Sequence, residues 1–292
     1  MDDGLSPLES RRRADIATAA AAVPLDAGFE TPRPAATPGP VVFQYRVLKA
    51  LVLREMSNRH GESRLGYLLG VILPLLAMGI LFAAWQFRGR AFSTVLPLGT
   101  FVVTGYPLWL GFRGVYNRVT GAASRSDALL MFPQITQLDL IFAAMILEIS
   151  TNTVVYVIMV AVVLVVFGEP PPADPFGVLM LYWACCWIGA ALGLVLCGVF
   201  RLTPTIATIF NSFLRFGMWM SGVIFSVDKL PSWLWPYLKW NPILHCIEGA
   251  RHVWLPSFNA PIFDPAYIIA SGFVLTAVGF ILERLTRRFV GP

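Results

Sequence analysis

The sequence predicts an all-α membrane protein with an N-terminal amphipathic interface helix, six transmembrane helices, and short re-entrant helices between the fifth and sixth. Three observations lead to that reading. Of 292 residues, 57% are hydrophobic and 13% charged, about half the charged share of an ordinary soluble domain. The apolar residues gather into runs of about 20, the length a helix needs to cross a hydrocarbon core of roughly 30 Å. A further apolar stretch, after the fifth run, is broken by prolines and crowded with tryptophan.

Residues 1–41 stand apart. They are rich in Ala, Pro, Thr and Asp, with the run Arg11-Arg12-Arg13. Such a composition buries no core and reads as a disordered cytoplasmic tail. Ala17 to Val23 is too short and too weakly apolar for a secretory signal, and equally poor support for a twin-arginine one.

Residues 42–64 form the expected interface helix. At 100° per residue, Val47, Leu48, Leu51, Val52 and Met56 share one arc, while Arg46, Lys49 and Arg54 share the other. Leu53 falls on the polar side. Glu55 falls inside the apolar arc, where it either pairs with Arg59 one turn on or meets a partner protein. Arg54, Glu55, Arg59 and Arg64 are the polar candidates of this element.

The domain over residues 65–292 holds six apolar runs, at about 65–87, 95–116, 140–167, 177–200, 205–227 and 267–285. With the N-terminus inside, the cytoplasmic flanks carry Arg46, Lys49, Arg54, Arg59, Arg64, Arg118, Arg125, Arg201, Arg284, Arg287 and Arg288. The outer flanks carry Arg88, Arg90, Lys229, Lys239 and Arg251. That asymmetry predicts an inner-membrane protein with both termini in the cytoplasm. The basic excess, 22 Lys and Arg against 17 Asp and Glu, is accordingly a topology signal, and no nucleic-acid partner is expected.

Residues 228–258 contain Pro231, Pro236, Pro242 and Pro256 together with Trp233, Trp235, Trp240 and Trp254. Proline forbids one continuous span there, and clustered tryptophan favours the membrane–water interface. Two short helices dipping into the outer leaflet meet both conditions, the second starting with Asn241 as cap and Pro242 in its first turn. Backbone of this kind survives at membrane depth only beside protein or a water-filled cavity, which points to a pore.

No phosphate-cradling loop is present. The lysines are Lys49, Lys229 and Lys239, and none follows a glycine as the motif requires. Any nucleotide energy must come from another chain. The four cysteines, Cys185, Cys186, Cys197 and Cys246, suggest packing rather than disulfides or a metal site.

This order of parts resembles the ABC-2 (type V exporter-like) family of transport permeases, and within it the permeases that export capsular polysaccharide and O-antigen in Gram-negative bacteria. Three stretches carry the resemblance. The first is Leu53-Arg54-Glu55-Met56 through Arg64-Leu65-Gly66-Tyr67-Leu68 to Pro74. The second is Ser126-Asp127-Ala128-Leu129-Leu130-Met131-Phe132-Pro133-Gln134-Ile135. The third is Ser221-Gly222-Val223-Ile224-Phe225-Ser226, then Leu230-Pro231, then Trp240-Asn241-Pro242-Ile243-Leu244-His245. Together they place about residues 42–290 in the likeness; Leu73 stands where the family often has an acidic residue.

The resemblance implies a channel-forming subunit rather than an enzyme. It implies a homodimer bound to two copies of a separate ATPase, which would hold the ATP and Mg, with no cofactor in this chain. The cargo would be a lipid-linked polysaccharide crossing from cytoplasm to periplasm, with periplasmic and outer-membrane export proteins as further partners. A permease for drugs or lipids is the alternative, and a membrane-embedded glycosyl- or acyltransferase a more distant one.

Three further regions supply candidate sites. Within the cytoplasmic segment 117–139, a helix-sized piece stopped by Pro133 matches the family's coupling helix, so Arg125, Asp127, Leu129, Leu130, Phe132 and Pro133 are candidate ATPase contacts; an ordinary surface helix is the plainer reading. For the translocation pathway the candidates are Tyr106, Trp109, Glu148, Arg215 and Trp219, with Phe112 and Phe216 beside them. Arg215 lies about ten residues into the fifth run, where a charge must face protein or water. It either meets an anionic substrate or pairs with Glu148, the pairing being preferred. Most of the aromatics are expected to pack or face lipid. Periplasmic gate candidates are Trp233, Trp235, Trp240, His245 and Glu248. The spacing His245-x-x-Glu248-x-x-x-His252 invites a zinc reading, but no third strong ligand accompanies it, so ion pairs on the periplasmic rim are expected and no metal. Gly66-x-x-x-Gly70 and Gly189-x-x-x-Gly193 permit close helix packing.

Overall fold

The computed structural model describes residues 40–60, 64–88, 96–125 and 136–290. The chain divides into two units, residues 1–44 and 45–292, and of the first only the opening turn of a helix is described. Nine helices run in order among the described residues: α1 (Pro40–His60), α2 (Arg64–Arg88), α3 (Leu98–Arg125), α4 (Gln137–Val166), α5 (Pro175–Leu202), α6 (Pro204–Met220), α7 (Trp235–Leu238), α8 (Pro242–Trp254) and α9 (Pro265–Val290). Two 3-10 turns, Val227–Lys229 and Ser232–Leu234, precede α7. The disordered tail expected before residue 40 lies outside the described residues.

Each of the six apolar runs corresponds to a helix. Four of them are long and apolar enough to cross a membrane: Leu69–Phe87, Gln137–Val166, Pro175–Phe200 and Pro265–Thr286. The other two differ for distinct reasons. α3 carries Arg113 and Arg118 within its length. α6 has only 17 residues, roughly 25 Å at 1.5 Å per residue, and stops well short of the expected Val227. There Ser221 ends the helix and Gly222 takes a left-handed turn, φ 78°. That region is open to glycine at little steric cost.

α3 and α5 form the centre. Leu108, Phe112, Val115 and Tyr116 of α3 are fully buried, as are Cys185 and Cys186 of α5. α3 also packs on α4, α2 and α8, and α5 on α9, α8 and α6. The close approach of α3 to α5 depends on the glycines expected to allow it. A Cβ on Gly189 would collide with the Phe112 carbonyl, and one on Gly193 would sit 2.9 Å from Val119. Gly70 has open space around it, so the other glycine pair brings no neighbour close at that position.

Helix starts are set by polar side chains. Asn241 accepts from Ile243 N–H at 3.1 Å with Pro242 next, as expected. Asp174 caps α5 by accepting from Gly177 N–H at 3.0 Å. Thr136 and Asp139 cap α4 reciprocally, a capping box written in the sequence as Thr-x-x-Asp. α3 uses a cap from far away: the Glu169 carboxylate accepts from Gly99 N–H, Thr100 N–H and the Thr100 hydroxyl. The acidic link between α4 and α5 thus closes the end of α3. Its neighbours Pro170 and Ala173 bond to Trp254 at the end of α8, through the indole N–H at 3.2 Å and the Trp254 carbonyl at 3.0 Å.

α1 lies along α4. Val47, Leu48, Leu51 and Val52 pack on Leu140 and Ala143, while Arg46, Lys49, Leu53 and Arg54 stay exposed, as the helical wheel predicts. Met56, assigned to the same arc, is instead 51% exposed. At that turn the inward position belongs to Glu55, which reaches a polar partner.

Replacing Glu169 with Ala leaves three donors at the start of α3 without their acceptor. The expected loss is about 1–2 kcal/mol, seen as a melting temperature lowered by a few degrees. All four cysteines are buried and free, so their reactivity toward a fluorogenic maleimide during heating reports the transition.

Candidate functional site

Three groups of side chains along the bundle concern function. The first is at the α8 end of α3. Glu248 and Arg251, one helical turn apart on α8, are both fully buried and paired at 2.8 Å. Arg251 also donates to the Gly222 carbonyl at 2.7 Å and the Phe225 carbonyl at 3.1 Å, and its guanidinium lies 3.9 Å over the Phe101 ring. One buried cation thereby fastens the chain leaving α6 to both α8 and α3. Sequence alone places these ion pairs on an exposed rim. The pair is instead interior, because the turn after α6 offers two carbonyls that need donors.

The two histidines of the His245-x-x-Glu248-x-x-x-His252 spacing bond to different parts of the chain. His245 Nε2 donates to the Lys239 carbonyl at 3.0 Å, and its Nδ1 accepts from Asp264 N–H at 3.2 Å, which together define the neutral tautomer. His252 Nδ1 donates to the Phe258 carbonyl at 2.9 Å. Of the tryptophans assigned to a periplasmic gate, Trp233 and Trp240 are 66% and 78% exposed. Trp235 is half-buried and donates to the Leu230 carbonyl.

The second group lies about 25 Å further along α3. Arg118 meets Glu55 of α1 at 3.0 Å and Glu148 of α4 at 3.8 Å, and Asn152 donates to Glu148 at 2.8 Å. Glu148 therefore pairs with Arg118 and not with Arg215, the preferred expectation. Glu55 thus has a partner in Arg118 that helical spacing alone does not offer. The cause is geometric in each case: α3 packs beside α4, on which α1 lies, and brings its own arginine within reach of both carboxylates. α3 and α4 are also the helices that flank residues 126–135. Asp127, Leu129, Leu130, Phe132 and Pro133, expected to contact an ATPase, lie outside the described residues. Arg125 closes α3, and the side chains of Arg125, Arg59 and Arg64 are likewise outside.

The third group is the outer face of α6. Thr205, Thr208, Ser212, Arg215 and Trp219 recur at alternating spacings of three and four, and all are exposed. Beside this polar stripe runs an apolar one, Ile206, Ile209, Phe213, Phe216 and Met220, equally exposed. The inner face is held by Asn211, which accepts from the Tyr116 hydroxyl at 2.9 Å, and by Gly217 under the Trp109 ring. The aromatic candidates thus separate. Trp109 and Phe112 are core residues, Tyr106 is half-buried, and only Phe216 and Trp219 are open.

A bundle of apolar helices, an uncovered arginine-bearing stripe and a proline-broken pair of short helices before the last long helix define a membrane permease. Residues 46–255 match the model of the ABC-2 type transporter membrane family, and the chain belongs to that family. It is 31% identical over 254 residues to the capsule polysaccharide export inner-membrane protein CtrC of Neisseria meningitidis serogroup B, covering 86% of this chain and 95% of that one. It is 28% identical over 253 residues to the capsule polysaccharide export inner-membrane protein BexB of Haemophilus influenzae, with the same coverage. Similarity extends to the polysialic acid transport protein KpsM of Escherichia coli, 26% identical over 238 residues, 81% of this chain and 92% of that one.

The buried pair makes a sharp energetic prediction. Arg251→Leu alone leaves Glu248 charged and unpartnered in the interior and should cost about 3–5 kcal/mol. Combining it with Glu248→Leu removes the stranded charge and should recover a large part of that loss. Thiol-exposure melts of the two single variants and the double measure the coupling directly.

Proposed function

We propose that this chain is the channel-forming subunit of an ATP-driven exporter that passes a capsular-type polysaccharide from the cytoplasm to the periplasm. The observation that carries the reading is the α6 stripe. Among the described residues nothing covers the face of α6 that presents Thr205, Thr208, Ser212 and Arg215. An arginine near mid-bilayer costs at least about 2.5–3.5 kcal/mol unless it meets water or protein. Two copies of the chain, with these stripes turned toward a shared axis, would enclose a polar path for sugar hydroxyls. The relatives' roles in capsule polysaccharide export and polysialic acid transport support that class of cargo.

By this proposal α2, α3, α4, α5, α6 and α9 are the six spans, both termini are cytoplasmic, and the protein resides in the bacterial inner membrane. α7 and α8 lie at the periplasmic end, where Trp233 and Trp240 rim the exit. Two copies of a separate ATPase, carrying ATP and Mg, engage residues 117–139. Glu55, Arg118 and Glu148 then link the interface helix to the two helices entering that segment. Closure of the ATPase would reach α3 and α4 directly and α1 through Arg118. A lipid-linked polymer is the cargo form, and periplasmic and outer-membrane export proteins receive it.

Deleting the gene and fractionating the cell's long-chain carbohydrate tests the reading. Polymer held in the cytoplasm with a bare surface is the expected outcome, restored by the wild-type chain. Complementation with Arg215→Leu should leave most of the polymer inside although the protein reaches the membrane. An unchanged surface contradicts polysaccharide export and favours a drug or lipid cargo. Loss of all polymer in an otherwise synthesis-competent strain favours a biosynthetic enzyme.

A further inference from the structure

Between α7, α8 and the start of α9 lies a cleft of about 600 Å³, lined by Pro236, Lys239, Trp240, His245, Asp264 and Tyr267 among others. Its size falls in the range of small-ligand sites, roughly 300–1,000 Å³. We infer that it binds a glycosyl unit carrying a carboxylate, with the sugar ring on Trp240 and the acid on Lys239. This assignment rests on the export reading and gives an acidic sugar a stopping place at the mouth of the path.

The aromatic surface is built, not incidental. Trp240 is 78% exposed, yet its backbone is pinned on both sides. The Tyr267 hydroxyl donates to the Trp240 carbonyl at 2.9 Å, and the next residue, Asn241, caps α8 and donates to the Met220 carbonyl at 3.2 Å. The His245 ring rests against Tyr267, centroids 4.7 Å apart. A rigid indole loses little conformational entropy on contact. Its electron-rich face suits the weakly positive C–H face of a pyranose ring.

The charges favour an anion. Asp264 has its carboxylate turned to the Ala266 N–H at 2.9 Å and the Tyr267 N–H at 3.4 Å, so its charge is set against the start of α9. Lys239 is exposed and makes no ion pair among the described residues. Its ammonium is the cation of the cleft, which it lines together with the Asp264 carboxylate. Both His245 nitrogens are already engaged, leaving no free base, so the cleft suits binding rather than chemistry. The same cation and indole could greet an anionic lipid headgroup, but the Asp264 carboxylate, whose Oδ2 makes no hydrogen bond among the described residues, suits a hydroxylated ligand better than acyl chains.

The test uses the full chain in phosphatidylcholine nanodiscs, with saturation-transfer NMR on tetragalacturonate and on its carboxyl-reduced neutral counterpart. Wild type should bind the acid more tightly than the neutral oligomer. Lys239→Gln should weaken the acid by about tenfold, the size of one charge-assisted contact, and leave the neutral oligomer unchanged. Trp240→Ala should weaken both. Both side chains are exposed, so folding is not at stake. Wild type that takes neither oligomer, or variants that bind like wild type, overturns the assignment. So does full displacement of tetragalacturonate by phosphatidylglycerol in the nanodisc, which makes the cleft a lipid site. Export in cells is read separately: the expected binding changes with no export defect on deletion would remove the export reading alone, and the reverse would remove only the cleft.

Discussion

Arg251 holds a full positive charge with no exposure to water, and the arrangement around it follows from that one fact. A buried guanidinium is tolerable only when its hydrogen-bond directions and its charge are answered. Glu248 answers the charge, the Gly222 and Phe225 carbonyls take donors, and Phe101 offers a ring face. These groups come from three parts of the chain: α8, the turn after α6, and α3. Well-packed apolar residues could give comparable stability. What the charged group adds is position, since its two Nη groups bond Glu248 and both carbonyls of the α6 exit, while its Nε has no hydrogen-bond partner among the described residues. The left-handed Gly222 is the backbone counterpart of the same requirement.

That fixed exit determines what α6 can present. The helix is anchored inward through Asn211 on Tyr116 and Gly217 beneath Trp109, and is tied at its end by Arg251. Its polar and apolar stripes are therefore held in one rotation, with Arg215 outward. At the other end of α3, Arg118 joins Glu55 and Glu148. α3 thus carries a polar junction near each end and an apolar middle against α5. A central helix with two polar clasps and an apolar middle suits the relay of movement that the proposed function requires.

Local signals are legible in the sequence. The six apolar runs are all helices, the proline-broken stretch does form short helices, and Asn241-Pro242 starts α8 where the cap rule puts it. The α1 wheel holds at Val47, Leu48, Leu51 and Val52 because those positions depend on period alone. Long-range polar contacts are not legible. Glu169 capping a helix 70 residues earlier, Glu55 meeting Arg118, and Glu148 choosing Arg118 over Arg215 depend on which helices become neighbours, and spacing does not encode that. Burial of Arg251 has no sequence signal, because a basic residue flanked by His252 and Glu248 looks like solvated surface. The expected α6 is too long since Val223, Ile224 and Phe225 continue the apolar run, while the Ser221-Gly222 break is decided by the turn that Arg251 holds.

Export along α6 requires its polar stripe to face an aqueous path for polymer. Single cysteines at Thr208, Ser212, Ile209 and Phe213, in a chain whose own cysteines are all buried, can be probed in cells with a membrane-impermeant maleimide. Ser212→Cys and Thr208→Cys should label from water, Ile209→Cys and Phe213→Cys should not, and labelling of the first two should fall when polymer is arrested during export. Labelling of the apolar stripe in preference to the polar one, or labelling indifferent to arrested polymer, would contradict a polymer path along this helix.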